Sequence, residues 1–148
     1  MTKADAPVIE ALRALLASSY VLYTKSHNYH WNVTGPMFTT LHTLFETQYT
    51  ELATAIDEVA ERIRARGAFA PGSFSEFTAL SVVAEDTGHP DAKTMIRTLV
   101  EDHGKVVDAA RRVIVAAEAA GDQASADLGT RRVDVHEKAA WMLRSHLE

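Results

Sequence analysis

The sequence has no cysteine among its 148 residues. That excludes disulfides, thiolate metal ligands and cysteine nucleophiles, and it accords with a reducing compartment. Proline and glycine are few, 4 and 7, and most of them fall at helix breaks. No apolar run approaches the roughly 20 residues that a membrane-spanning helix needs. Positive charge is in deficit as well. Fifteen Lys and Arg against twenty Asp and Glu leave a net charge of −5, so phosphate is repelled unless a local basic patch overrides the average. The clusters Arg62/Arg64/Arg66, Arg111/Arg112 and Arg131/Arg132 read as solvated helix faces. The segment MTKADAPVIEALRALL has one Lys before the first helical pattern and no signal-peptide cleavage site, so a cytoplasmic location is expected.

What remains is an ordinary globular composition, 47% hydrophobic and 24% charged, in a chain sized for one domain over residues 1–148. Ile9, Leu12, Leu15, Leu16, Tyr20 and Tyr23 recur at three- and four-residue spacing, which predicts a helix running to about Val33. Gly35-Pro36 breaks it. A second helix from about Met37 carries Leu41, Leu44, Phe45, Gln48, Leu52, Ile56 and Ile63 on one broad side and ends at Gly67. Residues 67–89 are rich in Gly, Pro and Ser, a long connection with room for a short helix over Glu76–Val83 capped by Ser75. Pro90 marks the start of a third helix, through Leu99, Val106, Val107 and Ile114 to about Ala120. Gly121-Asp122 breaks it, and Ser125–Leu147 reads as the fourth. Two helix pairs joined by a long crossover have the connectivity of an all-α, ferritin-like four-helix bundle.

The chemistry-bearing residues concentrate between His27 and Glu61. Imidazole with carboxylate suits iron, zinc or manganese. The intra-bundle signature Glu-x-x-His is absent, which argues against a metal centre inside the bundle. At about 100° per residue, His42, Glu46, Asp57 and Glu61 share one face of the second helix. At 1.5 Å per residue, however, His42 and Asp57 stand roughly 22 Å apart along the axis. They meet at one metal only if a second copy packs antiparallel on this face, and a two-fold axis then creates two identical sites. His30, near the turn, joins His42 from the same chain. The plain alternatives are a salt-bridged face for Asp57, Glu58 and Glu61 beside Arg62 and Arg64, a core histidine for His30, and simple packing for Trp31.

The run His30-Trp31-Asn32-Val33-x-Gly35-Pro36-x-Phe38, then Leu41-His42, Phe45-Glu46 and Asp57-Glu58-x-Ala60-Glu61-Arg62-Ile63, resembles the Dps family (DNA-binding protein from starved cells), or mini-ferritins. Glu137-Lys138-x-x-Trp141-Met142-Leu143-Arg144 is similar to that family's last helix. The resemblance implies a homododecameric shell with ferroxidase sites at two-fold interfaces, each taking two iron ions. His30 and His42 would come from one subunit, and Asp57 and the bridging Glu61 from its neighbour. Glu46 would hold the second, weaker iron, and Trp31 would donate electrons nearby. It further implies Fe(II) oxidation by hydrogen peroxide and storage of ferric mineral. Asp122 and Asp127 fall where the family's pores lie, with Arg131 in place of a further acid; capping of the fourth helix is the alternative for both. Lys3 alone precedes the first helix, so weak or absent DNA binding is expected. A DNA-compacting shell, and a zinc or manganese protein without redox turnover, are the competing functions.

Overall fold

The computed structural model describes residues 2–3 and 5–148. Its elements are α1 (Asp5–Asn32), α2 (Phe38–Ala65), α3 (Phe74–Leu80), α4 (Ala92–Ala119) and α5 (Gln123–Arg144), closed by a 3₁₀ turn at Ser145–Leu147. There are no strands among the described residues. The helices pair as α1 with α2 and α4 with α5. α1 also packs on α4, and the short α3 lies against α1. This is the expected four-helix bundle with a helix in its crossover.

Local chemistry sets the boundaries. Gly35 (φ 104°) and Gly121 (φ 68°) occupy the left-handed region at the two hairpin turns, where a Cβ would be strained. The crossover helix begins earlier than Ser75 predicts, because Ser73 is its cap. Its hydroxyl accepts from the Glu76 amide and reaches the Glu76 carboxylate at 2.6 Å, a capping box that leaves Ser75 inside the helix. The third long helix starts just after Pro90, where Asp91 accepts from the Thr94 amide. Asp122 likewise caps α5 through the Ser125 amide.

Most of the predicted stripe residues form the core: Ile9, Leu12, Leu15 and Leu16 of α1, Leu41, Phe45, Leu52 and Ile63 of α2, Leu99, Val106 and Val107 of α4 and Leu143 of α5 are buried, whereas Tyr20, Tyr23, Ile56 and Ile114 are half-buried; Leu22, Tyr29 and Leu128 complete the core. α5 is thinner in large side chains, and α4 comes correspondingly close. A Cβ on Gly129 would lie 2.8 Å from Ile114 Cγ1 and 3.0 Å from the Ala110 carbonyl, so the absent side chain is what permits the approach.

The same stripes carry polar residues into the interior. Lys25 of α1 and Asp102 of α4, both buried, form an ion pair at 2.8 Å. Arg132, read from the sequence as part of a solvated face, is instead 4% exposed. It makes a bidentate pair with Glu51 of α2 at 2.5 and 2.9 Å and contacts His136 Nε2 at 3.0 Å. His136 Nδ1 lies 2.8 Å from His103 Nδ1. Because guanidinium only donates, His136 Nε2 accepts, so Nδ1 of the neutral ring carries the proton and donates to His103. The remaining proton of His103 sits on Nε2, which is buried without a hydrogen-bond partner among the described residues. Burial first, and then the Arg132 charge, lowers the His103 imidazole to about 4. Burial, His103 and Arg132 push His136 down as well.

Candidate metal centre

The last turn of α1 and the second turn of α2 face each other across the Gly35 turn, and they bring His30 and His42 together. The rings stack at 3.7 Å between centroids, 13° from parallel. Each is fixed by the other's backbone: His30 Nδ1 donates to the His42 carbonyl at 2.6 Å, and His42 Nδ1 donates to the His30 carbonyl at 2.7 Å. A carbonyl only accepts, so both Nδ1 atoms carry the proton and both Nε2 atoms keep a free lone pair. Metal-binding imidazoles commonly have this arrangement, with the non-ligating nitrogen oriented by a backbone carbonyl. His30 is buried and His42 half-buried.

The acids of α2 sort into two sets. Glu51 and Glu58 are taken up by α5, Glu51 by Arg132 and Glu58 by Arg131 at 2.6 Å, which holds the Glu58 carboxyl below its ordinary value. Glu46, Asp57 and Glu61 are exposed and make no ion pair among the described residues. The arginines that the alternative reading offered them are engaged elsewhere. Arg62 binds Asp122 at 2.7 Å and Ser125 at 2.9 Å; Arg64 donates to the Ala68 carbonyl and lies over the Phe69 ring. The salt-bridged face therefore holds for Glu58, through a different partner, and not for Asp57 or Glu61.

A single subunit leaves these groups apart. Among the described residues no three His, Asp or Glu side chains are close enough to hold one metal ion. The two imidazoles stand near one end of α2, and Asp57 and Glu61 toward the other. At its own end of the helix Asp57 borders an open groove lined by Leu16, Tyr20, Tyr23, Ala53, Ile56 and Ala60. The face carrying the unpaired acids thus has an apolar floor.

Aromatic side chains surround the histidines. Trp31 is 66% exposed and stacks on His27 at 4.4 Å. Tyr49 lies 3.9 Å from His27 and meets His30 edge-on at 5.2 Å. Its phenol is raised by burial, then by the charges of Glu46 and Tyr23. His27 is lowered by burial and by His30. His27 opened the stretch that the sequence marked as chemistry-bearing but was given no role in it, and nothing in the sequence singled out Tyr49.

The pore candidates divide. Asp122 is buried, caps α5 and binds both Arg62 and Arg66, which favours the capping reading. Asp127 is exposed but paired with Arg131 at 3.2 Å.

The chain matches the family model for the ferritin-like domain over residues 9–148. It is 39% identical to DNA protection during starvation protein 2 of Bacillus anthracis over 140 residues, covering 95% of this chain and 96% of the relative. The crystal structure of a Dps protein from Bacillus brevis superposes with a TM-score of 0.96 at 35% identity, covering 100% and 99% of the two chains. That of the Vibrio cholerae protein, described as a member of a broad superfamily of ferritin-like diiron-carboxylate proteins, gives 0.93 at 32% identity over 98% and 91%.

Proposed function

This chain belongs to the Dps family of ferritin-like proteins, and from that premise we propose that it oxidises Fe(II) with hydrogen peroxide at sites shared between two subunits and stores the ferric product in a twelve-subunit shell. One observation carries the reading. The two imidazoles have their Nε2 lone pairs set free by mutual backbone anchoring, while Asp57 and Glu61, unpaired among the described residues on the same face of α2, are too distant to join them within one chain.

In the assembled site His30 and His42 of one subunit bind Fe(II) through Nε2. Asp57 and Glu61, reaching across the two-fold axis from the neighbour, complete the set, and Glu61 bridges to a second iron that Glu46 helps to hold. The apolar groove beside Asp57 is then covered by the partner copy. Hard carboxylate oxygens with imidazole favour Fe(III) over Fe(II), and an incomplete ligand set leaves room for the oxidant. Two Fe(II) deliver two electrons to one peroxide, so no hydroxyl radical need be released. Location in the cytoplasm belongs to the same proposal; among the described residues no helix is long and apolar enough to cross a membrane.

Mixed assembly tests the shared site. Shells of His30→Ala alone and of Asp57→Ala alone are expected to oxidise Fe(II) slowly with peroxide, whereas shells reassembled from both regain activity, because some interfaces then carry an intact set. Native mass spectrometry on the same samples checks the twelve-subunit particle. Absence of recovery in properly assembled mixed shells would refute the inter-subunit site. Tight zinc or manganese binding with no Fe(II) oxidation would replace the ferroxidase reading with a redox-silent one.

A further inference from the structure

A second recess lies away from the histidines, where α3 and the crossover after it close against the middle of α1. Its volume is about 200 Å³. An engineered cavity of roughly 150 Å³ takes up benzene, so a ring with a short arm fits here. Part of the lining is apolar. Val21 and Phe77 are buried, Tyr20 stacks on Phe77 at 4.3 Å, and Phe74 stands edge-on to both rings at 6.3 and 6.4 Å. Phe74 is 75% exposed, a large ring held at the rim.

The polar part of the lining has acceptors to spare and few donors. Thr24 donates to the Tyr20 carbonyl at 3.0 Å, and Thr78 donates to the Phe74 carbonyl or to Glu85, so each hydroxyl has only lone pairs left to offer. The Asn28 amide gives its hydrogens to the carbonyls of Asp86 and Gly88. Lys25 brings a positive charge to this wall, and buried Asp102 neutralises it at 2.8 Å. Glu85 and Asp86 add two carboxylates that form no ion pair among the described residues. Asp86 is held below its ordinary value, first by the Tyr29 hydroxyl and then by the Gly88 amide, so its charge persists at neutral pH. The recess thus sets two uncompensated negative charges beside three aromatic rings.

We propose that this recess binds a small primary amine with an apolar body, its ammonium group on the Glu85 and Asp86 side and its body against Val21, Tyr20, Phe74 and Phe77. The chemistry of the lining selects that class. A protonated amine supplies donors where the protein supplies acceptors, and its charge offsets the surplus carboxylates. Ring faces beside those carboxylates favour a cation over a neutral ligand. A carboxylate ligand would meet Glu85 and Asp86 with like charge, and a purely apolar one would leave them unanswered. The occupied site ties α3 and the crossover to α1, since all three supply its walls. Binding there requires no iron.

Phenethylamine is the probe, with 2-phenylethanol and 3-phenylpropionate as its neutral and anionic counterparts. Calorimetric titration of the iron-free protein at pH 7 is expected to show the amine bound and the other two bound at least about tenfold more weakly. Glu85→Gln and Phe74→Ala fall at exposed positions and leave the core untouched. They should weaken the amine about tenfold and several-fold, respectively. Hydrogen exchange over residues 74–86 should slow when the amine is added to wild type, and less in either variant. Equal affinity in wild type and both variants would overturn the assignment, because the acidic surface at large would then be holding the amine. Tighter binding of 3-phenylpropionate would also overturn it and give the recess to Lys25. No detectable binding of the amine at millimolar concentration would end the proposal outright.

Discussion

Acidification should weaken this fold through two buried imidazoles, by an amount the structure sets. His103 and His136 share a hydrogen bond inside the bundle, and Arg132, itself buried, occupies the outer nitrogen of His136. An unfolded histidine takes up its proton near 6.5, whereas folded His103 resists until about 4. Between those values the unfolded chain binds more protons than the folded one. Stability is therefore fully present above about pH 6.5 and falls as pH drops toward 4. At about 1.4 kcal/mol per unit, a displacement of roughly 2.5 units gives about 3 kcal/mol for His103 alone. His136 adds in the same direction, with the two protons entering the pair in coupled steps. A loss of that size is a large part of the 5–15 kcal/mol that usually holds a domain together. The groups facing the pair are Arg132, which opposes protonation, and Glu51, which is already committed to Arg132. Urea unfolding at fixed protein concentration, at pH 7 and pH 4, would be compared between wild type and His103→Gln/His136→Gln. Wild type should lose about 3 kcal/mol more than the variant over that interval. Equal losses in the two proteins would refute the reasoning, since carboxylates and subunit dissociation contribute to both.

Two further outcomes follow from buried and surface charge. Lys25→Met leaves Asp102 unpaired among apolar neighbours and should cost about 3–5 kcal/mol, while Lys25→Met/Asp102→Leu should recover most of it; thermal unfolding of both variants reads the difference, and an equally unstable double variant would show that the pair is not the cause. With −5 net charge per chain, the protein is expected to retard duplex DNA weakly or not at all in a gel shift at physiological salt and neutral pH, and tight complexes there would contradict this.

The helices were legible because apolar residues recur at helical spacing and glycines stand at the turns. The start of α3 was misplaced because Ser73 and Ser75 are both good caps, and only Glu76, three residues after Ser73, distinguishes them. Arg132 was read as solvated because it adjoins the exposed Arg131. The signal lay in the register: Leu128, Arg132, His136 and Leu143 fall on one stripe, as do Leu22, Lys25 and Tyr29, and Leu99, Asp102, His103 and Val106. Polar residues in phase with core residues point inward whatever their type. For the candidate site, the spacing arithmetic anticipated that His42 and Asp57 lie apart. It did not anticipate that α5 claims Glu51 and Glu58, because that selection depends on which helix packs alongside.

The anchoring of the two histidines carries a consequence for how such a site is dissected and how it arises. Each ring is held by its neighbour's main chain, not by its neighbour's side chain. Deleting one imidazole removes a donor atom but leaves the other still clamped in register, since a peptide carbonyl survives any substitution at its own residue. The half-site is modular: each ligand is preset by the hairpin that bears it, before metal or a second subunit arrives.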